Sequence, residues 1–482
     1  MCFMVEPNHV PTVLQLSGNN APSSLMESIR LSIYCRKHGE TMKEYDTLIK
    51  NGYVVLPDRV QKLDIGIRDG CIAAIGEGLH GPASLEYNAE NRYIFPGGID
   101  VHVHFNEPGR EDWEGFSTGS AMMAAGGMTT YFDMPLNGIP STVSLSALHE
   151  KTQIAGQKSI VDFGLWGGLV PGNEEELAGF ADGVIGFKAF MSPSGNPQFE
   201  RADDQTLLQG MKQIAKLGSL LALHAESAPM IKHMQAEQTG TDADAYAGSR
   251  PIEAETEAVQ RAINFAKLTG CPLHFVHISN AETIDTIEEA KQDGMDITVE
   301  TCAHYLLFNH SSLQTQGAAA KCAPPLRPEK ERQQLVQYLL DGKIDIVSSD
   351  HSPCPPELKD TTNMFTAWGG INGGQFTLMA LIETALRYQI PLSRVAAWVS
   401  SNPAARFQLD KTKGEAAVGK AADLVVVDLE TSHTITAQDL YTKHQQSLYI
   451  DHTFPCRIIQ TFYQGEVVYH HQTGVTNHPS SI

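Results

Sequence analysis

Residues 95–105 read FPGGIDVHVHF. Two glycines close the preceding run, and IDVHVHF follows as an apolar stretch of strand length with imidazoles two positions apart. Residues two apart on a strand share a face, so His102 and His104 point the same way while Val103 points to the other side. Seven further apolar runs follow: MTTYFDMP (128–135), DFGLWGGL (162–169), VIGFKAFM (184–191), LLALHAES (220–227), PLHFVHIS (272–279), DITVETCAH (296–304) and DIVSSDHSP (345–353). Helical stretches separate them, including LSALHEKTQIAGQ, DQTLLQGMKQIAKLG, EAETEAVQRAINFAKLTG, NAETIDTIEEAKQDG and PEKERQQLVQYLLDG, several ending in the glycine expected of a helix C-cap. Gly126-Gly127 reads as another helix end. The alternation predicts repeated βα units on a parallel sheet, and eight strands are the number that closes an α/β (β/α)8 TIM barrel over residues 97–409.

The flanks read differently. Between residues 42 and 96, TLIKNGYVV, KLDIGIRDG and CIAAIGEG read as short strands, with Asn51-Gly52 and Asp69-Gly70 as hairpin turns. KAADLVVVDLE and RIIQTFYQGEVVYHH repeat the all-β signature near the C-terminus. Residues 42–96 and 410–475 are therefore expected to form one small β-sandwich. Residues 1–41, polar and rich in Ser, Asn and Pro, are expected to be a flexible extension, with Met1 or Met42 as the natural start.

Composition narrows the function. The chain has 482 residues, 42% hydrophobic and 19% charged, an enzyme-sized folded protein rather than one small module. Its 56 acidic against 35 basic residues leave a formal charge of −21, which disfavours a broad nucleic-acid-binding face. Eight scattered cysteines without a CxxC pair suit free thiols in a reducing cytoplasm. No apolar run reaches the ~18 residues of a membrane span, and the N-terminus lacks a signal-peptide pattern, so neither membrane nor secretion is expected.

The chemistry lies at the strand ends. His102 and His104 can reach one metal ion from the same face. His224, His277 and Asp350 stand at or near the ends of later strands, at the barrel face where such enzymes place their catalysts. Lys188 sits amid the apolar residues of VIGFKAFM, where an ammonium is costly to desolvate. Carbon dioxide would convert that amine into a carbamate with two oxygens able to bridge two cations.

FPGGIDVHVHFNEPGREDWEGFSTGSAMMAAGG, followed in order by FKAF, LHAE, HFVHIS and SSDHSP, resembles the cyclic amidohydrolases: hydantoinases, dihydroorotases and allantoinases. The resemblance spans roughly residues 45–470. It implies that His102 and His104 bind the more buried ion and His224 and His277 the more exposed one. Carboxylated Lys188 would bridge the two, and Asp350 would complete the first site. Zinc is the favoured ion, with cobalt, manganese and iron compatible with the donor set. The implied chemistry is attack by a hydroxide bridging the ions on a ring amide, with Asp350 as the catalytic proton carrier. A homotetramer is implied as well.

Two departures and one likeness select among substrates. Dihydroorotases usually carry Arg two residues after the second motif histidine, where this chain has Asn106, though Arg110 lies nearby. Hydantoinases typically place Tyr five residues beyond the lysine, where this chain has Pro193. DMPLN (133–137), NEPGR (106–110) and WGGINGGQ (368–375) resemble the allantoinase branch. That branch opens the hydantoin ring of allantoin, a neutral cyclic ureide, to allantoate in purine catabolism. Hydantoinase, dihydropyrimidinase or dihydroorotase activity is the alternative, and a non-catalytic dihydropyrimidinase-related scaffold is the reading outside enzymes. Asn106, Ser192, Ser194, Ala323 and Asn372 are the expected substrate-lining residues, the last two through their backbone. The SPSG stretch after Lys188 is a candidate lid, and Gly369–Gly374 a candidate close approach of backbone to ligand.

Overall fold

The computed structural model describes residues 44–476, so the expectations for residues 1–41 and for the Met1 or Met42 start lie outside the described residues. All eight apolar runs form strands. Gly98–Val103, Met128–Asp133 and Asp162–Leu165 pair in parallel. The third run passes Trp166 and continues as Gly167–Gly168, which pairs with Phe187–Phe190. Leu221–His224, Leu273–Phe275, Ile297–Cys302 and Ile346–Ser348 follow, each parallel to the strand before it. A parallel bridge from Val103 to His351 and the His104 N–H···O=C His351 bond at 2.7 Å join the last strand to the first. The runs read as nearly continuous apolar sequence because helices cover one face and the barrel interior the other.

Local chemistry sets the helix limits. Ser144, Asp203 and Asn280 each accept a backbone N–H three residues on, opening Leu145–Lys158, Asp204–Lys216 and Ala281–Gln292. Gly270, at φ 72°, caps Ile252–Thr269 in the left-handed conformation that a glycine adopts without strain. Glu329–Leu340 is the fifth expected helix, and Phe116–Ala125 ends at Gly126 as anticipated.

The two flanks share one nine-stranded sheet. Its central join is antiparallel, between Tyr93–Pro96 and Leu424–Asp428, so residues far apart in sequence lie side by side. Asp69-Gly70 turns between Val60–Arg68 and Cys71–Gly76, as expected. Asn51-Gly52 does not turn the chain. Tyr45–Val55 runs through it as one strand with a register shift between Ile49 and Gly52, and Asn51 takes φ 63°. A positive φ at Asn serves a bulge as readily as a hairpin, and the strand partners here select the bulge. Lys413 ties sheet to barrel, pairing with Asp162 of the third barrel strand at 2.7 Å and with Asp423 beside Leu424–Asp428.

Candidate active site

The ends of the first and eighth strands meet. Nε2 of His102 and Nε2 of His104 each lie 3.2 Å from the same oxygen, Oδ1 of Asp350. His102 Nδ1 is 2.8 Å from Glu300 Oε1, on the seventh strand. An ionised carboxylate only accepts, so His102 carries its proton on Nδ1 and presents a bare Nε2 lone pair towards Asp350. Glu300 also accepts from His274 Nε2 at 3.0 Å and from the His277 backbone N–H at 3.2 Å. Burial alone would raise the Glu300 carboxyl, but His102 and His274 outweigh it and hold it well below the usual carboxylate range.

A second pair stands on the fifth and sixth strand ends. His224 Nδ1 and His277 Nε2 face each other at 2.9 Å, and His224 Nε2 meets Glu226 Oε2 at 2.7 Å. Arg250 pairs with the same carboxylate oxygen. Burial opposes ionisation of Glu226, yet Arg250 and His224 bring it down to about 2. Glu226 thus stands to His224 as Glu300 does to His102: a buried carboxylate fixes the tautomer and leaves the other nitrogen free to ligate. The His102 and His277 rings lie 5.5 Å apart, which joins the two pairs into one cluster. His277 at φ 42° and Asp350 at φ 45° both hold left-handed backbone, which is strained for side-chain-bearing residues.

Lys188 lies fully buried on the fourth strand, and its Nζ makes no hydrogen bond to any described residue. Desolvation, only partly offset by Glu300 and Asp350, lowers its amine to about 8. Its Nζ lies 5.4 Å from the centre of the Phe190 ring, which stacks on His224 at 4.4 Å. His102, His104 and Asp350 are a donor set suited to one divalent cation, with candidate ligand atoms within 4.8 Å of one another. His224 and His277 bring a second pair of imidazole nitrogens close to this set.

A cavity of about 390 Å³ opens over this cluster, reached by the side chains of His102, His104, His224, His277 and Asp350. Among the expected substrate-lining residues, Ser194 and Ala323 line it, as does Pro193. Asn106, Ser192 and Asn372 do not. Asn106 holds a turn at φ 65° and donates to Pro353 O at 3.4 Å. Ser192 is wholly buried, its hydroxyl without a hydrogen bond to any described residue. The Asn372 amide donates to Thr442, His444 and Gln446, anchoring the loop from the C-terminal flank, and its carbonyl accepts from Ser447. Arg110 packs over Trp113 and does not reach the cavity. Gly369 and Gly370 do reach it, and a Cβ on Gly370 would meet Ser352 O at 2.3 Å, so only glycine fits there.

Sequence reasoning missed Glu226, Glu300, Tyr246, Arg250, Lys321 and Trp368. A carboxylate inside the otherwise apolar DITVETCAH was a readable signal for Glu300, and Glu226 stands two residues after a candidate ligand. Trp368 opens the WGGINGGQ stretch already singled out, while nothing local marks Tyr246, Arg250 and Lys321, which distant segments bring to the cavity.

The amidohydrolase family profile matches residues 93–468. An allantoinase of Bacillus velezensis is 53% identical over 429 residues, covering 88% of this chain and 94% of that one. An allantoinase of Solibacter usitatus is 46% identical over 431 residues, with 88% and 94% covered. Among solved structures, the L-hydantoinase (dihydropyrimidinase) of Arthrobacter aurescens superposes with a TM-score of 0.86 at 31% identity, covering 90% of this chain and 98% of that one. The strand-end imidazoles, the extent of the profile match and the near-full-length similarity agree, and the chain belongs to the amidohydrolase family.

Proposed function

We propose that the protein is an allantoinase, a metal-dependent hydrolase that opens the hydantoin ring of allantoin to allantoate. The observation that carries this is the 53% identity to an allantoinase over almost the whole chain, combined with a cavity over a His102, His104, Asp350 donor set. His102, His104 and Asp350 would hold one divalent ion and His224 and His277 another, with Lys188, as its carbamate, shared between them. A lowered amine pKa leaves more neutral lysine to add to carbon dioxide, forming the N–C bond and releasing one proton. Divalent ions in that position supply Lewis acidity, polarising a ring carbonyl and lowering the pKa of a water.

The chain's own residues do the rest. Glu300 and Glu226 hold the imidazole tautomers, and Arg250 holds Glu226. Asp350, where the ends of the first and eighth strands meet, would carry a proton from the attacking water to the departing ring nitrogen. Ser194 and the Ala323 backbone line the cavity where the ring would lie, while Asn106, Ser192 and Asn372 would support its walls. Pro193 on the wall offers no phenol of the kind typical of hydantoinases, which favours allantoin over simple hydantoins. Zinc, a cytoplasmic location and a homotetramer complete the proposal. So does a division into a barrel at 97–409 and a β-sandwich from 42–96 and 410–475, supported by one apolar core shared by strands of both flanks. Turnover of allantoin, hydantoin and dihydroorotate by one ion-loaded preparation tests the function. Allantoin is expected to be preferred, and a preference for either other ring would overturn the proposal.

A further inference from the structure

One cation on the cavity wall has no carboxylate partner among the described residues. Lys321 is 6% exposed and lines the cavity near Tyr246, Arg250 and Trp368. Its ammonium has three donors but makes one hydrogen bond among the described residues, to Ala367 O at 2.6 Å, and lies 4.7 Å from the centre of the Tyr246 ring. Its two cationic neighbours are satisfied. Arg250 pairs with Glu226, and Lys359 donates to the carbonyls of Ala318, Trp368 and Gly370. The Lys321 backbone is also tied to this loop, since its carbonyl accepts from Gly370 N at 2.9 Å. Burial, reinforced by Arg250 and Lys359, lowers its amine to about 8, as expected of a cation short of acceptors.

A buried ammonium with free donors facing a cavity calls for an acceptor on whatever fills that cavity. The reacting ring must meet the imidazole cluster, so the remaining wall meets the rest of the substrate. We propose that Lys321 donates to the carbonyl of the ureido arm at the far end of the substrate, and so determines specificity for arm-bearing rings over bare ones. The assignment rests on the allantoinase reading and deepens it, since that arm is what distinguishes allantoin from hydantoin.

The test is K321M, measured as KM and kcat for allantoin and as Ki for hydantoin competing with allantoin. Loss of one hydrogen bond to a charged group predicts a KM for allantoin raised about 10- to 100-fold, with kcat little changed. The hydantoin Ki should stay within about twofold, because that ring has no arm to lose. Equal weakening of both ligands, or no weakening of either, would overturn the assignment. If K321M does not fold, the wild-type enzyme decides. Allantoin should bind at least about tenfold tighter than 5-propylhydantoin, whose apolar arm has a similar reach, and equal binding would refute the role. Wild-type enzyme that hydrolyses hydantoin but not allantoin would overturn the functional proposal itself, a result distinct from any effect of K321M.

Discussion

Glu300 is the most informative residue to change, because it touches two imidazoles that matter differently. In Glu300→Gln the shape persists, but one acceptor oxygen becomes an amide donor. The side chain now accepts from His102 or His274, not from both. His274 can adapt, since its Nδ1 lies 2.8 Å from the Thr298 hydroxyl and can change tautomer with it. The amide oxygen then turns to His102 and keeps the proton on Nδ1, but the negative charge that strengthens this imidazole as a ligand through Nε2, the atom beside Asp350, is gone. Groups that orient a ligating histidine are generally worth about 10- to 100-fold in ion affinity, equivalent to ~1.4–2.7 kcal/mol. Competition with a graded series of chelators should therefore show Glu300→Gln releasing its ions at about 10- to 100-fold lower chelator strength, with the fold kept. Affinity within twofold of the wild type would refute the claim that the charge of this carboxylate strengthens His102 as a ligand.

Arg250→Met removes the counter-charge from buried Glu226, loosening its hold on His224, and should lower kcat at least about tenfold while leaving ordinary circular dichroism unchanged. Lys188→Ala should strip the shared ligand, reducing bound ions below two per chain and activity to background, as read by elemental analysis and allantoin turnover. Lys413→Met leaves Asp162 and Asp423 buried without their cation and should cost about 3–5 kcal/mol in urea unfolding at pH 7. Burial opposes the charged form of Lys413, but those two aspartates raise it above the usual ammonium value. Its stabilisation is therefore complete below the unfolded lysine value of about 10.4 and lost as pH rises through the higher folded value. The gap between wild type and variant should stay level from pH 7 to 9, and a gap that closes across that range would contradict the pairing.

The barrel was legible because its strands are buried on both sides, which leaves continuous apolar runs between helices that begin at Ser144, Asp203 and Asn280 and often stop at glycine. Asn51-Gly52 misled because sequence reports a tolerance for positive φ, whereas strand partners decide whether that makes a turn or a bulge. At the site, the strand-end histidines, Lys188 and Asp350 could be read because each interrupts an apolar run. Asn106 and Asn372 were less legible: a short amide in a loop looks the same whether it faces a ligand or, as Asn372 does, three groups of a distant segment. Lys321 and Arg250 gain their meaning from neighbours such as Tyr246, Glu226 and Ala367, which the chain brings near only on folding.

The most direct measurement is ¹³C NMR of protein reconstituted with divalent ion and ¹³C-bicarbonate, with elemental analysis of the same sample. A lysine carbamate shared by two ions predicts one carbamate carbon and two ions per chain, with the carbamate signal absent and the ion count below two in Lys188→Ala. Two tightly bound ions with an unmodified Lys188, or a fully active protein without ions, would contradict it.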